Sequence, residues 1–321
     1  MSDPLILAIP SKGRLKDQVE AWLQDCSLGL DMSGGDRGYR ARLRGADGVQ
    51  VRLLSAGDIA EALVAGDVHL GVTGEDLLGE QGPGSAEATL LLRPLGFGRA
   101  DLVVAAPRSW LDVSVMCDLE DVAHERLVRT GRRLRVATKY LAQTREFFAR
   151  HGIADYRIVE SGGATEGAPA AGIADIIVDI TTTGATLQAN DLKILEDGVI
   201  LRSQAHLAAG LRADWTPGGL AAAESLIRIF EARAAAHASA TLIWPGGDDD
   251  PILPELEALG AVRRPNGLLA PLALVPRIAE RLTSAGRGPV TASRPDFVFE
   301  TACPPWDGLR AALEKTDKRV R

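Results

Sequence analysis

The sequence predicts an α/β protein built on parallel sheets, with a small additional module at its carboxyl end. Short apolar runs alternate with helical apolar patterns through the first two hundred residues, a rhythm typical of right-handed βαβ units. Residues 173–180 are apolar except for Asp175 and Asp179, as in a strand buried on both faces. Near residue 240 Pro and Gly become frequent. We therefore predict a domain boundary there, followed by an α+β module.

The elements follow from the spacing of apolar residues. Strands are predicted at residues 5–9, 49–54, 68–72, 134–138, 156–160 and 173–180. Helices are predicted at residues 16–26, 59–65, 141–151 and 220–238, the last with Thr216 as N-cap and Pro217 presetting the turn. Residues 90–94 and 102–106 are expected to be extended connectors between lobes. In the tail we expect strands at 241–244 and 297–299 and helices at 252–259, 277–284 and 306–315.

Composition and charge limit the classes of function. The net charge of −7 over 321 residues gives no sign of the basic surface that nucleic-acid binding requires. Cys26, Cys117 and Cys303 are widely spaced and odd in number, which favours reduced thiols over a disulfide framework or a zinc site. No apolar run is long enough to span a bilayer, and the first residues do not resemble a signal peptide. We therefore predict a cytoplasmic protein without nucleic-acid or membrane partners.

The segment from Asp179 to Thr186 is the most informative part of the chain. Here a predicted buried strand passes into a hydroxyl-rich loop and then a helix near residues 186–190, and ligands of parallel sheets bind beyond the carboxyl ends of strands. Unpaired N–H groups at a helix start suit a phosphate monoester. The donors and the turn-forming residue are Thr181, Thr182, Thr183, Thr186 and Gly184. An ordinary strand, turn and helix with threonine caps is the alternative interpretation.

Two carboxylates flank this loop. Asp179 lies too close to the bound phosphate to be another phosphate ligand, so it is suited to accept hydrogen bonds from sugar hydroxyls or to contact Mg²⁺. Glu166, at the start of another predicted helix, is suited to the same work. Two further strand ends, at residues 10–14 and 73–76, are expected to reach the same edge of the fold.

Read with its flanks, this segment resembles the signature of the ATP phosphoribosyltransferase family. The matching residues are Glu166, Gly172, Ile173, Ala174, Ile177, Asp179, Ile180, Thr183, Gly184, Thr186 and Leu187. Such a many-point match is far more specific than a lone glycine pattern. Residues 11–15, 67–76 and 135–140 resemble the family in the expected order. In all, the resemblance covers residues 5–230.

The resemblance implies a fold and a reaction. The fold is α/β, with two lobes like those of periplasmic binding proteins, a central cleft and a small C-terminal α+β module. Residues 1–95 and 186–238 would form the first lobe, residues 96–185 the second lobe with the phosphate loop, and residues 240–321 a C-terminal domain. The reaction is the first step of histidine biosynthesis, in which phosphoribosyl pyrophosphate and ATP give N1-(5-phosphoribosyl)-ATP and pyrophosphate.

The resemblance also assigns roles. Asp179 and Glu166 are expected to be catalytic, holding ribose hydroxyls or the Mg²⁺ cofactor, because positive charge develops on the sugar as pyrophosphate leaves. The expected phosphoribosyl pyrophosphate ligands are Thr181, Thr182, Thr183, Gly184, Ala185 and Thr186. The expected ATP or phosphate ligands are Lys12, Gly13, Arg14, Thr73 and Gly74, although Lys12 and Arg14 equally suit a solvated surface. Lys139 and Tyr140 are further candidates, and Trp22 and Trp110 suit either purine stacking or core packing.

Regulation and assembly are left open by the sequence. Some family members carry a histidine-binding C-terminal domain, whereas short ones depend on a synthetase-like regulatory subunit. This chain is too long for the short type, yet residues 240–321 do not match the usual regulatory domain. The resemblance implies a homo-oligomer, dimer or hexamer, with histidine as effector or a synthetase-like partner as alternatives.

Two other functions remain open from sequence alone. A two-lobed binding module without chemistry is one, although the missing secretion signal disfavours a transport receptor. The second is a phosphoribosyltransferase for a free base or orotate. Those enzymes typically carry paired acids before the loop, whereas Val178 precedes Asp179 here.

Overall fold

The computed structural model describes residues 4–31, 40–246, 250–265 and 267–320. The first part of the chain contains β1 (Leu5–Pro10), α1 (Gly13–Asp25), β2 (Gly29–Asp31), β3 (Arg40–Arg44), β4 (Val49–Leu54), α2 (Ala56–Ala65), β5 (Leu70–Gly74), α3 (Glu75–Glu80), α4 (Ser85–Ala88) and β6 (Thr89–Pro94). The middle part contains β7 (Ala100–Pro107), α5 (Met116–Thr130), β8 (Leu134–Thr138), α6 (Leu141–Arg150), β9 (Tyr156–Glu160), β10 (Ile176–Thr181), α7 (Ala185–Ala189) and β11 (Leu192–Ser203).

The last part of the chain contains β12 (Ala205–Gly210), α8 (Pro217–Ala238), β13 (Ser239–Ile243), α9 (Leu253–Ala258), β14 (Val262–Arg264), β15 (Gly267–Pro271), α10 (Val275–Ser284), β16 (Thr291–Ser293) and α11 (Pro304–Val320). None of the helices in the described part of the chain is long and apolar enough to cross a membrane.

Three sheets organise these elements. The first has the strand order β2-β3-β4-β1-β5-β12-β6 and the second β11-β7-β10-β8-β9. The third, with the order β14-β15-β13-β16, forms the small C-terminal module. The predicted fold class, α/β with two lobes and a small α+β module, is confirmed. Each large sheet contains parallel pairs: β1 pairs with β4 and β5, and β8 pairs with β9 and β10.

The core of the first lobe explains why α8 forms where it does. The Thr216 hydroxyl caps it by accepting the Gly219 N–H at 3.1 Å, and a proline occupies its first turn, as predicted. Its buried face reaches Phe230, whose ring lies 4.2 Å from that of Trp22. Trp22 is therefore a packing residue here.

The predicted connectors at 90–94 and 102–106 are strands of the two large sheets. β6 pairs antiparallel with β12, and β7 pairs antiparallel with both β10 and β11. Long-range pairing decides this, since the isolated apolar runs look the same in a connector and in a strand. The predicted strand at 297–299 is irregular instead. There the Val298 N–H donates to the Ala232 carbonyl of α8.

The structure departs from the predicted division into lobes at two places. β11 lies in the range 186–238 assigned to the first lobe, yet it pairs with β7 in the second sheet. Near the C-terminus, Cys303, Trp306 and Leu309 join the hydrophobic core of the first lobe, so α11 packs there rather than on the small third sheet. The exact domain boundaries stay a prediction.

Candidate active site

The loop after β10 faces an open crevice of about 310 Å³. The crevice is lined by Glu166, Asp179, Ile180, Thr181, Thr182, Thr183, Thr186 and Leu187. Strand residues up to Val178 are fully buried, whereas Thr182 and Thr183 are exposed. The structure thus brings both predicted carboxylates and the predicted threonines into one surface cavity.

Local hydrogen bonds shape the loop. Gly184 has φ +76°, a left-handed conformation that glycine adopts without the strain of a side chain. Its N–H donates to Thr181 Oγ1 at 2.9 Å, and the Ala185 N–H donates to Thr183 Oγ1 at 3.4 Å. The Thr182 hydroxyl donates to the Arg99 carbonyl at 3.2 Å. The hydroxyl hydrogen of Thr182 is therefore already bonded within the protein. This bond connects the loop to the segment between β6 and β7.

The helix that follows the loop is short and lies within one residue of its predicted position at 186–190. α7 has 5 residues, so little helix dipole accumulates along it. What remains for an anion are the outward N–H groups of its first turn and the hydroxyls of Thr183 and Thr186. Neither hydroxyl has a protein acceptor among the described residues.

Asp179 is a half-buried carboxylate with few protein donors. The Ile180 N–H donates to its Oδ1 at 2.8 Å. The nearby Thr165 hydroxyl donates to Ser161 Oγ at 3.0 Å. Burial raises the pKa of Asp179, and the nearby Glu166 adds to that effect. The Ile180 N–H, Lys139 and Thr165 act in the opposite direction, yet the pKa stays above its ordinary value. Such a carboxylate retains capacity for a ligand.

The predicted first-lobe ligands divide into exposed and buried groups. Lys12, Gly13 and Arg14 are exposed at the start of α1, where Gly13 has φ +75°. Thr73 is fully buried and donates its hydroxyl to the Ala56 carbonyl at 2.7 Å, so it has no surface for ATP in this conformation. Gly74 lacks room for a side chain, since an added Cβ would lie 2.2 Å from Asp76 Oδ1. Its glycine is therefore explained by packing.

Comparison with known proteins decides what this crevice belongs to. Residues 55–229, more than half of the chain, match the family model HisG, ATP phosphoribosyltransferase. The ATP phosphoribosyltransferase of Caulobacter vibrioides strain NA1000 / CB15N is 60% identical over 317 residues, which cover 98% of this chain and 99% of the relative. The chain belongs to the ATP phosphoribosyltransferase family. The predicted enzyme class, a pentosyltransferase acting in the first step of histidine biosynthesis, is confirmed. The two alternatives, a binding module without chemistry and a phosphoribosyltransferase for a free base or orotate, are not supported.

Two further comparisons agree with this membership. The ATP phosphoribosyltransferase of Rhodopseudomonas palustris strain BisA53 is 46% identical over 323 residues, covering 98% of this chain and 99% of the relative. Among solved structures, the ATP phosphoribosyl transferase (HisG:HisZ) complex from Thermotoga maritima superposes with a TM-score of 0.53 at 23% identity. That match covers 71% of this chain and 96% of the other, and it supports the shared fold.

This family member also contains a buried polar network that the sequence did not reveal. Asp76 is 4% exposed, and its two carboxylate oxygens accept the Tyr140 hydroxyl at 2.9 Å and the Ser203 hydroxyl at 2.8 Å. The Asp76 N–H donates back to Ser203 Oγ at 3.1 Å. Burial, followed by the Asp76 carboxylate, raises the pKa of Tyr140, which keeps the phenol protonated. Partners so distant in sequence leave no local pattern to find.

Proposed function

We propose that this chain transfers the 5-phosphoribosyl group of phosphoribosyl pyrophosphate to N1 of ATP in the crevice at the end of β10. The carrying observation is that one exposed cavity gathers Asp179, Glu166 and the threonine loop around Gly184. A monophosphate is bound by N–H and hydroxyl donors, and ribose hydroxyls are bound by carboxylate acceptors. This one cavity therefore suits both the 5′-phosphate and the ribose of phosphoribosyl pyrophosphate.

The loop is proposed to bind the 5′-phosphate. The set comprises Thr181, Thr182, Thr183, Gly184, Ala185 and Thr186. Within it, the first-turn N–H groups and the hydroxyls of Thr183 and Thr186 are the donors. The Thr182 hydroxyl instead anchors the loop to Arg99. Holding the phosphate fixes C1 of the ribose, which lowers the entropic cost of bringing the adenine to it.

Asp179 and Glu166 are proposed to act on the ribose. As the C1–O bond to pyrophosphate breaks, its electron pair leaves with the pyrophosphate and the sugar becomes positively charged. The lone pair of adenine N1 then forms the new bond to C1. Two carboxylates beside the sugar stabilise that charge and accept hydrogen bonds from the ribose hydroxyls. Because Asp179 is half-buried, its charge is less screened than at the surface.

The Mg²⁺ cofactor is proposed to be held by Asp179 and Glu166 together with the substrate. Carboxylate oxygens suit Mg²⁺, which typically takes one or two carboxylates plus substrate phosphates. Among the described residues no cluster of three or more His, Cys, Asp or Glu could hold a metal by itself. When bound, the ion neutralises charge on the leaving diphosphate.

The remaining assignments rest on the family. Lys12 and Arg14, with Gly13 between them, are proposed to neutralise ATP phosphates from the first lobe. We propose a cytoplasmic homo-oligomer, dimer or hexamer. A synthetase-like regulatory subunit and inhibition by histidine are the two proposals for regulation. The first would parallel the second component of the Thermotoga maritima HisG:HisZ complex.

A turnover assay tests the function. The full chain is incubated with ATP, phosphoribosyl pyrophosphate, Mg²⁺ and inorganic pyrophosphatase, and the ultraviolet change of the N1-substituted adenine is followed. Turnover with ATP and none with free bases is expected. Substrate binding without turnover, persisting after a synthetase-like subunit is supplied, contradicts the proposal.

A further inference from the structure

Helix α3 of the first lobe is joined to the start of α6 in the second lobe by several hydrogen bonds. The Glu80 carboxylate accepts the N–H of Ala142 at 2.8 Å and that of Gln143 at 3.3 Å. The Gln143 side chain donates to the Asp76 carbonyl at 2.7 Å. The Tyr140 hydroxyl donates to the Asp76 carboxylate. The turn before α6 is thereby fixed to the first lobe.

Tyr140 links this junction to the crevice. Its ring lies beneath the Lys139 ammonium, with Nζ 5.0 Å from the ring centroid, a distance at which the ring face attracts a cation. In the β8–β10 register Ala137 lies opposite Ile177, so Lys139 comes opposite Asp179 two residues further on. The charge of Lys139 there opposes the effect of burial on the pKa of Asp179. β8, which ends just before Lys139, pairs with β10, which carries Asp179. The Tyr140 side chain thus contacts the first lobe through its hydroxyl and the Lys139 ammonium through its ring.

Building on the proposed role of Asp179, we propose that Tyr140 is a positioning residue, which holds Lys139 beside Asp179 through its hydroxyl bond to Asp76 of the other lobe. The core of the second lobe packs around the Tyr140 ring, and the hydroxyl bond to Asp76 ties the ring to the first lobe. Without that bond the ring can tilt within its packing. Lys139 is then less well placed near the developing charges of the reaction. Tyr140 itself does not touch the substrate.

The variant Tyr140→Phe removes the hydroxyl and keeps the ring. We expect kcat to fall by about tenfold, the rate equivalent of losing one hydrogen bond to a charged group. KM for phosphoribosyl pyrophosphate should change by less than about twofold, since the phosphate loop is untouched. Tyr156→Phe is the matched control: Tyr156 packs on Phe148 in the same lobe, away from Lys139, and its variant should keep wild-type kcat.

A double-mutant cycle separates positioning from general structural support. If Tyr140 acts through Lys139, then adding Tyr140→Phe to Lys139→Met causes no further loss of kcat. Losses that multiply in the double variant, or a Tyr140→Phe enzyme as active as Tyr156→Phe, overturn the proposal. Should Tyr140→Phe not fold, Asp76→Asn weakens the same bond. It should lower kcat by about threefold in wild type and not in Lys139→Met.

The variant Asp179→Asn keeps this inference separable from the proposed function. If Asp179→Asn has wild-type kcat, the active-site assignment fails and the Tyr140 proposal fails with it. If Asp179→Asn is impaired while the cycle shows multiplying losses, only the positioning role is refuted.

Discussion

Asp76 and Asp179 occupy similar places in the two lobes and have opposite environments. Asp76 follows the end of β5, and Asp179 lies near the end of β10. Asp76 is buried, with both oxygens occupied by hydroxyls from distant parts of the chain. Asp179 is half-buried beside an open crevice, and its best-placed donor is the N–H of the next residue.

The difference separates structural from functional carboxylates. A buried charge is tolerated when its hydrogen bonds are complete, and breaking them is costly. A carboxylate that is partly desolvated but incompletely bonded keeps capacity for a ligand, and its raised pKa reflects that state. Asp76 therefore holds the lobes together, while Asp179 is available to the substrate.

The largest expected effect compares the two residues directly. Asp76→Ala should lower the free energy of unfolding by about 2–4 kcal/mol, because it orphans the hydroxyls of Tyr140 and Ser203. Asp179→Ala should change it by less than about 1 kcal/mol, since a raised pKa means that ionisation of this group opposes folding. Urea unfolding of both variants measures this. Equal losses would contradict the comparison.

The sequence alone indicates the role of Asp179 but not that of Asp76, and the reason is physical. The bonds around Asp179 and Gly184 mostly join neighbours, such as the Gly184 N–H to Thr181, so a local pattern encodes them. The bonds of Asp76 join it to Tyr140 and Ser203, at separations of 64 and 127 residues. Only the assembled lobes bring those partners together.

The same distinction applies to the fold. The strands at 134–138 and 156–160, which pair in parallel at one side of the second sheet, have the bounds that the sequence predicts. The apolar pattern does not indicate β11 and β12 and makes β6 and β7 look like connectors, because antiparallel pairing between distant segments of each sheet makes them strands. The packing of α11 on the first lobe was equally invisible, since it depends on a core formed far earlier in the chain.

The next largest effect concerns the loop. Gly184→Val should weaken binding of phosphoribosyl pyrophosphate by about 100-fold, because a β-branched residue at positive φ is strained and distorts the N–H donors. Calorimetry measures the affinity. Gly131→Val is the matched control, a left-handed glycine with open space at the end of α5. It should lose stability and keep donor affinity. Unchanged affinity in Gly184→Val would remove the loop from the site.

A smaller effect is expected for the charge of Asp179. Asp179→Asn should lower kcat by about 30-fold and donor affinity by less than about threefold, if the charge acts mainly in the transition state. Steady-state kinetics with direct binding gives both numbers. Asp191→Asn is the matched control. Asp191 is an acid of the same lobe with a left-handed backbone, a conformation that asparagine tolerates, so this variant should keep wild-type kcat and donor affinity. A loss confined to affinity would make Asp179 a binding residue only.

The smallest effect is a displacement of the pH profile. Burial raises the pKa of Asp179, so the acidic limb of kcat/KM should lie above the ordinary pKa of an aspartate, with activity lost as pH falls and the carboxylate is protonated. Glu166 contributes to that rise, so Glu166→Gln should move the limb to lower pH in profiles normalised to their maxima. A limb that stays in place would show that Glu166 does not act on Asp179.

The most direct test of the central claim is a crystal structure with phosphoribosyl pyrophosphate bound. The account predicts that the 5′-phosphate oxygens lie about 2.7–3.2 Å from the first-turn N–H groups of α7 and from the hydroxyls of Thr183 and Thr186. Asp179 should face the ribose hydroxyls or the metal ion. A 5′-phosphate held by Lys12 and Arg14, with the crevice after β10 left to solvent, would contradict it.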